Sequence, residues 1–160
     1  MTTPPTITIA AALDNLDEVR RLFSEYAAML GIDLGFQNFE DELAHLPGKY
    51  APPSGMIRIA RPSSNGGHAA GCVALRPFDE GRCEMKRLFV RNEFRGLGIG
   101  RLLADTIVAD AQKIGYRSML LDTLESLPEA VALYTKMGFK RIGPYCHNPQ
   151  PDVVFMEKVF

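Results

Sequence analysis

Arg95-Gly96-Leu97-Gly98-Ile99-Gly100 lies between a strand-like run, Cys83 to Arg91, and an amphipathic helix beginning near Ile99. Three glycines within five residues would weaken either element, because glycine loses the most backbone freedom on folding. They suit a main chain that turns tightly and brings bare N–H groups against a ligand. A helix start directly behind them adds unpaired donors and the positive end of the helix dipole. Together these features predict a site for a phosphate or pyrophosphate, and so a phosphorylated cofactor.

Two other phosphate loops compete for the segment. A Walker A loop needs Lys followed by Ser or Thr after its last glycine, and Arg101-Leu102 stands there instead. The dinucleotide fingerprint G-x-G-x-x-G accommodates Gly96 and Gly98, but its third small position is Arg101. Asp122, at the end of a later apolar run, stands where a ribose contact would fall and keeps that alternative open. No full βαβαβ half precedes residue 95, which weighs against it. A plain strand-to-helix turn is the bland alternative, although such turns seldom need glycine at three alternate positions.

A chain of 160 residues is the size of one domain, read here as a single unit over 1–160. A hydrophobic content of 46% with 23% charged residues is typical of a water-soluble fold. A net charge of −1 predicts no nucleic-acid partner and no anionic-membrane surface. No run reaches the ~18 apolar residues of a membrane span. Met1-Thr-Thr-Pro-Pro-Thr lacks the basic start and apolar core of a signal peptide and reads as a frayed lead-in. Cys72, Cys83 and Cys146 show no C-x-x-C spacing and read as reduced thiols of a cytoplasmic protein. His45, His68 and His147 are scattered, so no metal site is expected.

Along the chain, Thr6 to Ala10 reads as a first strand. Leu13 to Leu30 carries apolar residues at helical spacing and stops at Gly31; Asn38 to Leu46 is a shorter helix. Gly48 to Gly55 is a loop, and Met56 to Ala60 and Ala69 to Arg76 are strands joined by the turn-rich Pro62 to Gly67. In the next strand Cys83 and Met85 share one parity, Leu88 and Val90 the other. That slip predicts a β-bulge near Lys86-Arg87, with a strand buried on both faces as the alternative. Ile99 to Ile114 is a core-facing helix ended by Gly115, and Ser118 to Asp122 an interior strand. Ser126-Leu-Pro-Glu129 has capping-box spacing for a helix running to Gly138. Phe139 to Ile142 and Asp152 to Lys158 are strands around a Pro-rich loop.

Arg95-x-x-Gly98-x-Gly100, followed in register by Ala130-x-x-Leu133-Tyr134-x-x-x-Gly138-Phe139, resembles the Gcn5-related N-acetyltransferase (GNAT) family. The match covers about residues 82 to 142; before that only the order of elements agrees. The resemblance implies an α/β fold whose mixed, mostly antiparallel sheet splays after the fourth strand, flanked by about four helices. It implies acetyl-CoA as cosubstrate. Its pyrophosphate would meet Arg95, Gly96, Leu97, Gly98, Ile99, Gly100 and Arg101, and its pantetheine and acetyl carbonyl would meet Leu88, Phe89 and Val90. The family often has Asn three residues before the position of Ala130; Leu127 stands here, so that polar contact is absent or supplied elsewhere.

The same resemblance gives Tyr134 the role of proton donor to the departing sulfur and makes Glu84 the leading general base for the amine. The structural alternatives are a core aromatic for Tyr134 and an ion-paired strand residue for Glu84. Glu40, His147 and Asp122 are weaker base candidates. Cys83 as a covalent nucleophile is disfavoured by burial and by the lack of a paired histidine. Direct transfer in a ternary complex is the expected route. Phe36, Phe39, Tyr50, Tyr145, His147 and Asn148 are candidate acceptor-lining residues. Asp33, Glu40, Asp41, Glu42 and Glu84 favour a cationic small-molecule amine, with a peptide amine also open. A homodimer is left open. The competing functions are a non-catalytic acyl-CoA-binding module and a dinucleotide-dependent oxidoreductase.

Overall fold

The computed structural model describes residue 3, residues 5–63 and residues 65–160. Strands β1 (Ile7–Ala11), β2 (Met56–Pro62), β3 (Gly71–Asp79), β4 (Arg82–Val90), β5 (Ser118–Leu124), β6 (Lys140–Ile142) and β7 (Val153–Val159) form one sheet. Its order is β1-β2-β3-β4-β5-β7-β6. Every neighbouring pair is antiparallel except β4–β5. That parallel pair joins only Arg82–Glu84 to Ser118–Leu120, after which the two strands part. The sheet is therefore mixed, mostly antiparallel and splayed after its fourth strand, as the resemblance implies.

Helices α1 (Leu16–Leu30), α2 (Phe39–Ala44), α3 (Ile99–Ile114) and α4 (Pro128–Lys136) complete the fold. Alternation along the strands feeds two cores. Ile57, Ile59, Cys72 and Ala74 pack with Val19, Leu22 and Phe23 of α1 on one face. Val73, Leu75, Cys83 and Met85 pack with Ile99, Leu103 and Ile107 of α3 on the other. Each such side chain, fully withdrawn from water, contributes roughly 1.5–3 kcal/mol of transfer free energy.

The bulge is present. Cys72 pairs with Phe89 and Ala74 with Lys86, so Val73 alone faces both Arg87 and Leu88. Arg87 takes the extra position with φ +62, in the left-handed region that costs an L-residue about 1–2 kcal/mol. Its consequence is the parity change: Cys83, Met85, Leu88 and Val90 all meet the α3 core, whereas Phe89 joins the α1 core.

Several boundaries differ from expectation. Helix α1 begins at Leu16 rather than Leu13, because Asn15 caps it, its side chain accepting from the Glu18 N–H at 3.2 Å. The capping box at Ser126 and Glu129 is not made. Helix α4 starts one residue later, with Pro128 in its first turn, where a missing N–H costs nothing. The Ser126 N–H donates instead to Asp152 Oδ2 at 3.0 Å. Within the expected loop at 48–55 lies a 3-10 turn, Gly48–Tyr50, whose tyrosine is core. Of the expected lead-in and the 62–67 turn, Met1, Thr2, Pro4 and Ser64 lie outside the described residues.

Candidate active site

The parting of β4 from β5 opens a cavity of about 350 Å³. Leu88, Phe89, Val90, Arg95, Gly100 and Tyr134 all line it. Beyond Glu84 the β5-facing edge of β4 has no strand partner, leaving its main chain open to an extended ligand. At the cavity mouth Gly96 (φ +81) and Gly98 (φ +76) turn the backbone into the start of α3. A Cβ at either position would meet nothing within 4 Å, so the glycines answer a backbone requirement, and the space before them is open. No side chain among the described residues caps α3, which leaves the first-turn N–H groups of Ile99, Gly100 and Arg101 free for an anion.

The side chains of the loop behave differently from its backbone. Leu97 is 47% exposed at the rim, whereas Ile99 is core. Arg101 pairs with Asp105 at 3.0 Å on the helix surface. Arg95 donates to the Val90 carbonyl at 3.4 Å, tying the loop to the end of β4. Gly96, Leu97, Gly98, Ile99 and Arg101 thus surround the mouth through their main chain rather than line the cavity.

Tyr134 projects from α4 into the cleft and packs edge-on against Phe139, centroids 5.8 Å apart. Among the described residues its hydroxyl has no hydrogen-bond partner, yet solvent reaches it. Burial, reinforced by Tyr26 and Asp122, pushes this phenol above its ordinary range, so it is held protonated and able to donate.

The closed end of the cleft is a network of charged side chains. Arg76 pairs with Glu84 at 2.8 Å, and the Tyr145 hydroxyl donates to the same carboxylate at 2.5 Å. Lys86 pairs with Asp122 at 3.3 Å, and Asn148 donates to Asp122 at 3.0 Å. Arg87 grips Glu42 at 3.0 and 3.1 Å, donates to Gln37 at 2.8 Å, and lies against the rings of Tyr26 and Phe39. Burial is the largest influence on Asp122 and raises its pKa, but Lys86, Asn148 and Arg87 outweigh it and hold the carboxyl below its usual range.

Glu84 therefore stands at the closed end, 2% exposed and ion-paired, while Asp122 lies on the cavity wall. Glu40 is exposed on α2, and His147 is exposed beside Phe36. Cys83 is fully buried, donates to the Ser118 carbonyl at 3.5 Å, and has its thiol pushed up to about 12 by burial. Phe39 and Tyr50 are packing residues of the α1 core. Sequence reasoning did not find Arg76 or the structural work of Arg87. Their partners lie on β4 and α2, and no local pattern marks such pairs. Among the described residues no three metal-ligating side chains gather, and no helix is long and apolar enough to cross a membrane.

A sheet split after its fourth strand, a bulged strand lining the split and an uncapped helix start at its mouth define an N-acyltransferase. Residues 16–139 match the Acetyltransferase (GNAT) family, and the chain belongs to it. An uncharacterized N-acetyltransferase of Schizosaccharomyces pombe is 49% identical over 159 residues, covering 98% of this chain and 96% of the relative. Among solved structures, a GNAT-family acetyltransferase of Staphylococcus aureus superposes with a TM-score of 0.78 at 20% identity, covering 96% of this chain and 99% of that one. The yncA protein of Salmonella typhimurium, solved with its cofactor acetyl-CoA, gives 0.69 at 17% identity over 96% and 94% of the two chains.

Proposed function

We propose that residues 1–160 form one acetyl-CoA-dependent N-acetyltransferase domain that moves an acetyl group to a primary amine of a small molecule or peptide by direct transfer. The observation carrying this reading is the placement of the open β4 edge, the free α3 amides and the Tyr134 hydroxyl around one cavity. These features fit the cosubstrate: an extended polar arm matches the β4 edge, and a pyrophosphate matches the Gly96–Arg101 main chain. When bound, acetyl-CoA supplies an activated acetyl thioester.

The remaining chemistry belongs to the chain. The Leu88–Val90 main chain orients the carbonyl and offers an N–H to its oxygen, where negative charge develops. An ammonium near pKa ~10 must lose a proton before it can attack. As the nitrogen–carbon bond forms, the carbon–sulfur bond breaks. The nitrogen sheds a second proton, the sulfur takes one from Tyr134, and one proton is released overall. We assign the first proton to Glu84, acting through a water because its carboxylate lies behind the cavity wall. Asp122 is the second reading for the base, favoured by its position on that wall. The free thiols Cys72, Cys83 and Cys146 support a reducing, cytoplasmic setting.

The test compares thermal stabilisation by acetyl-CoA and by NAD(P)H, then follows thiol release with amines. Acetyl-CoA should stabilise the protein and release thiol only when an amine is present. Stabilisation by NAD(P)H alone would replace this reading with the oxidoreductase, and acetyl-CoA binding without release with the non-catalytic module. For the base, the rates of Glu84→Gln and Asp122→Asn are compared across pH. The true base is the group whose loss depresses the rate most on the acid side.

A further inference from the structure

The segment between β6 and β7 reaches both carboxylates at the closed end of the cleft. The Tyr145 hydroxyl donates to Glu84 Oε2 at 2.5 Å, and the Asn148 amide donates to Asp122 Oδ2 at 3.0 Å. Tyr145 does not line the main cavity, so it bears on the chemistry there through Glu84. Its ring is held edge-on by Phe78 of β3 at 5.1 Å and by Phe155 of β7 at 5.4 Å. Those two contacts fix the direction in which the hydroxyl points. Burial, then the facing Glu84 charge, push this phenol above its ordinary range, so it remains a donor.

The two oxygens of Glu84 are used differently. Arg76, its cross-strand partner on β3, donates from Nε at 2.9 Å and from Nη2 at 2.8 Å, both to Oε1. That charge-assisted fork closes Oε1. Oε2 accepts from Tyr145 and lies 3.9 Å from Lys86 Nζ, and Lys86 lines the cavity. A carboxylate oxygen accepts at two positions, so Oε2 keeps one for a proton arriving from the cavity side. Around this pair stand Asp122, held by Lys86 at 3.3 Å, and Glu42, 3.9 Å from Arg76. The Cys146 thiol, pushed up to about 11 by burial, stays neutral beside Asp122.

Resting on the assignment of Glu84 as base, we infer that Tyr145 is a positioning residue of the transferase: its hydroxyl orients the Glu84 carboxylate and stabilises its charge, leaving one side of Oε2 open to the proton of the amine. The ammonium passes a proton to the intervening water, the water passes one to Oε2, and Tyr145 keeps its own. Glu84 becomes neutral as the ammonium becomes a neutral amine. The hydroxyl then faces an uncharged acid, and the weaker bond favours return of the proton to solvent before the next turnover.

The test follows thiol release from acetyl-CoA across pH at saturating substrates, with whichever of spermidine, phenethylamine, kanamycin and a lysine-containing peptide reacts fastest. Tyr145→Phe keeps the ring between Phe78 and Phe155 and removes only the donor. The acid limb of its kcat profile should move up by about one pH unit, the scale of one hydrogen bond to a charged group. The KM for acetyl-CoA should hold, because the cavity lining is untouched. Tyr145→Leu also loses the ring and should unfold at lower urea, yet its acid limb should coincide with that of Tyr145→Phe. Added to Glu84→Gln, Tyr145→Phe should leave the profile where Glu84→Gln alone puts it. A rate lowered by one factor at every pH would be a purely structural effect and overturns the proposal. A limb moved by Asn148→Ala and not by Tyr145→Phe overturns it as well, and makes Asp122 the base. An undiminished rate in Glu84→Gln removes the base assignment and this inference with it, while the transferase stands. Absence of thiol release with every amine overturns the transferase reading itself.

Discussion

At the Gly96–Arg101 end of the cleft the surface offered to a ligand is main chain: positive-φ glycines, uncapped helix amides and an unpaired strand edge. At the Lys86–Asp122 end it is side chain, six charged groups that satisfy one another before any ligand arrives. A backbone site tolerates exchange of its side chains and fails when its dihedrals are disturbed. A side-chain network does the reverse. It fixes shape and neutrality, and fails when one partner is removed and the other is left buried and unpaired.

The sharpest way to break this contrast is at Arg87, which belongs to both kinds of construction. Arg87→Ala takes from Glu42 its bidentate partner, leaving it the Tyr50 hydroxyl at 2.9 Å and Arg76 at 3.9 Å, and keeps an L-residue at φ +62, so unfolding in urea should show a loss of about 3 kcal/mol. Arg87→Gly also loses the pin but relaxes the dihedral, and should recover about 1 kcal/mol of that loss. Equal losses would mean that the bulge carries no backbone strain.

Tyr134→Phe removes a group with no structural hydrogen bond among the described residues, so stability and acetyl-CoA affinity should hold while kcat falls about 100-fold. An unchanged kcat would return Tyr134 to a packing role. At the backbone end, Gly98→Ala meets open space yet places a side chain at φ +76, which should cost about 1–2 kcal/mol, read as weaker acetyl-CoA binding by titration calorimetry. Gly100→Ala is its control. That Cβ would sit 3.8 Å from Val90 Cγ2 in ordinary contact, so binding should be nearly unchanged.

The smallest effect is expected from acid. Asp122 has its folded-state pKa depressed below the ordinary 3.8. Its contribution to stability is therefore complete above 3.8 and is lost as pH falls through the lower folded value. Asp122→Asn should flatten that part of the stability–pH curve, measured by urea midpoints at stepped pH. An identical curve in the variant would show that its pairing with Lys86 contributes nothing to folding.

This division also explains what the sequence made legible. Glycine spacing, parity along β4 and the Ala130–Phe139 pattern each report backbone geometry within one or two neighbouring elements. They yielded the mouth, the bulge and the position of Tyr134. Arg87 and Glu42 lie on separate elements, as do Arg76 and Glu84 or Lys86 and Asp122. No periodicity links such pairs, so the acidic residues near α2 looked like a reception for cations until the fold gave Glu42 its partners and left Glu40 and Asp41 on the surface. Ser126 and Glu129 misled for the opposite reason: the spacing was local and correct, but Asp152, brought in from the start of β7, took the Ser126 N–H.

The bulge in β4 is arithmetically a single inserted residue. Without Arg87, Leu88 and Val90 would follow Cys83 and Met85 in unbroken alternation, and every strand-core contact on that face would survive. The strand would make a better ladder and a worse enzyme. A one-codon deletion would therefore keep the apolar register of that face and be felt where Arg87 itself works, in the lost grip on Glu42 and in the shape of the cleft.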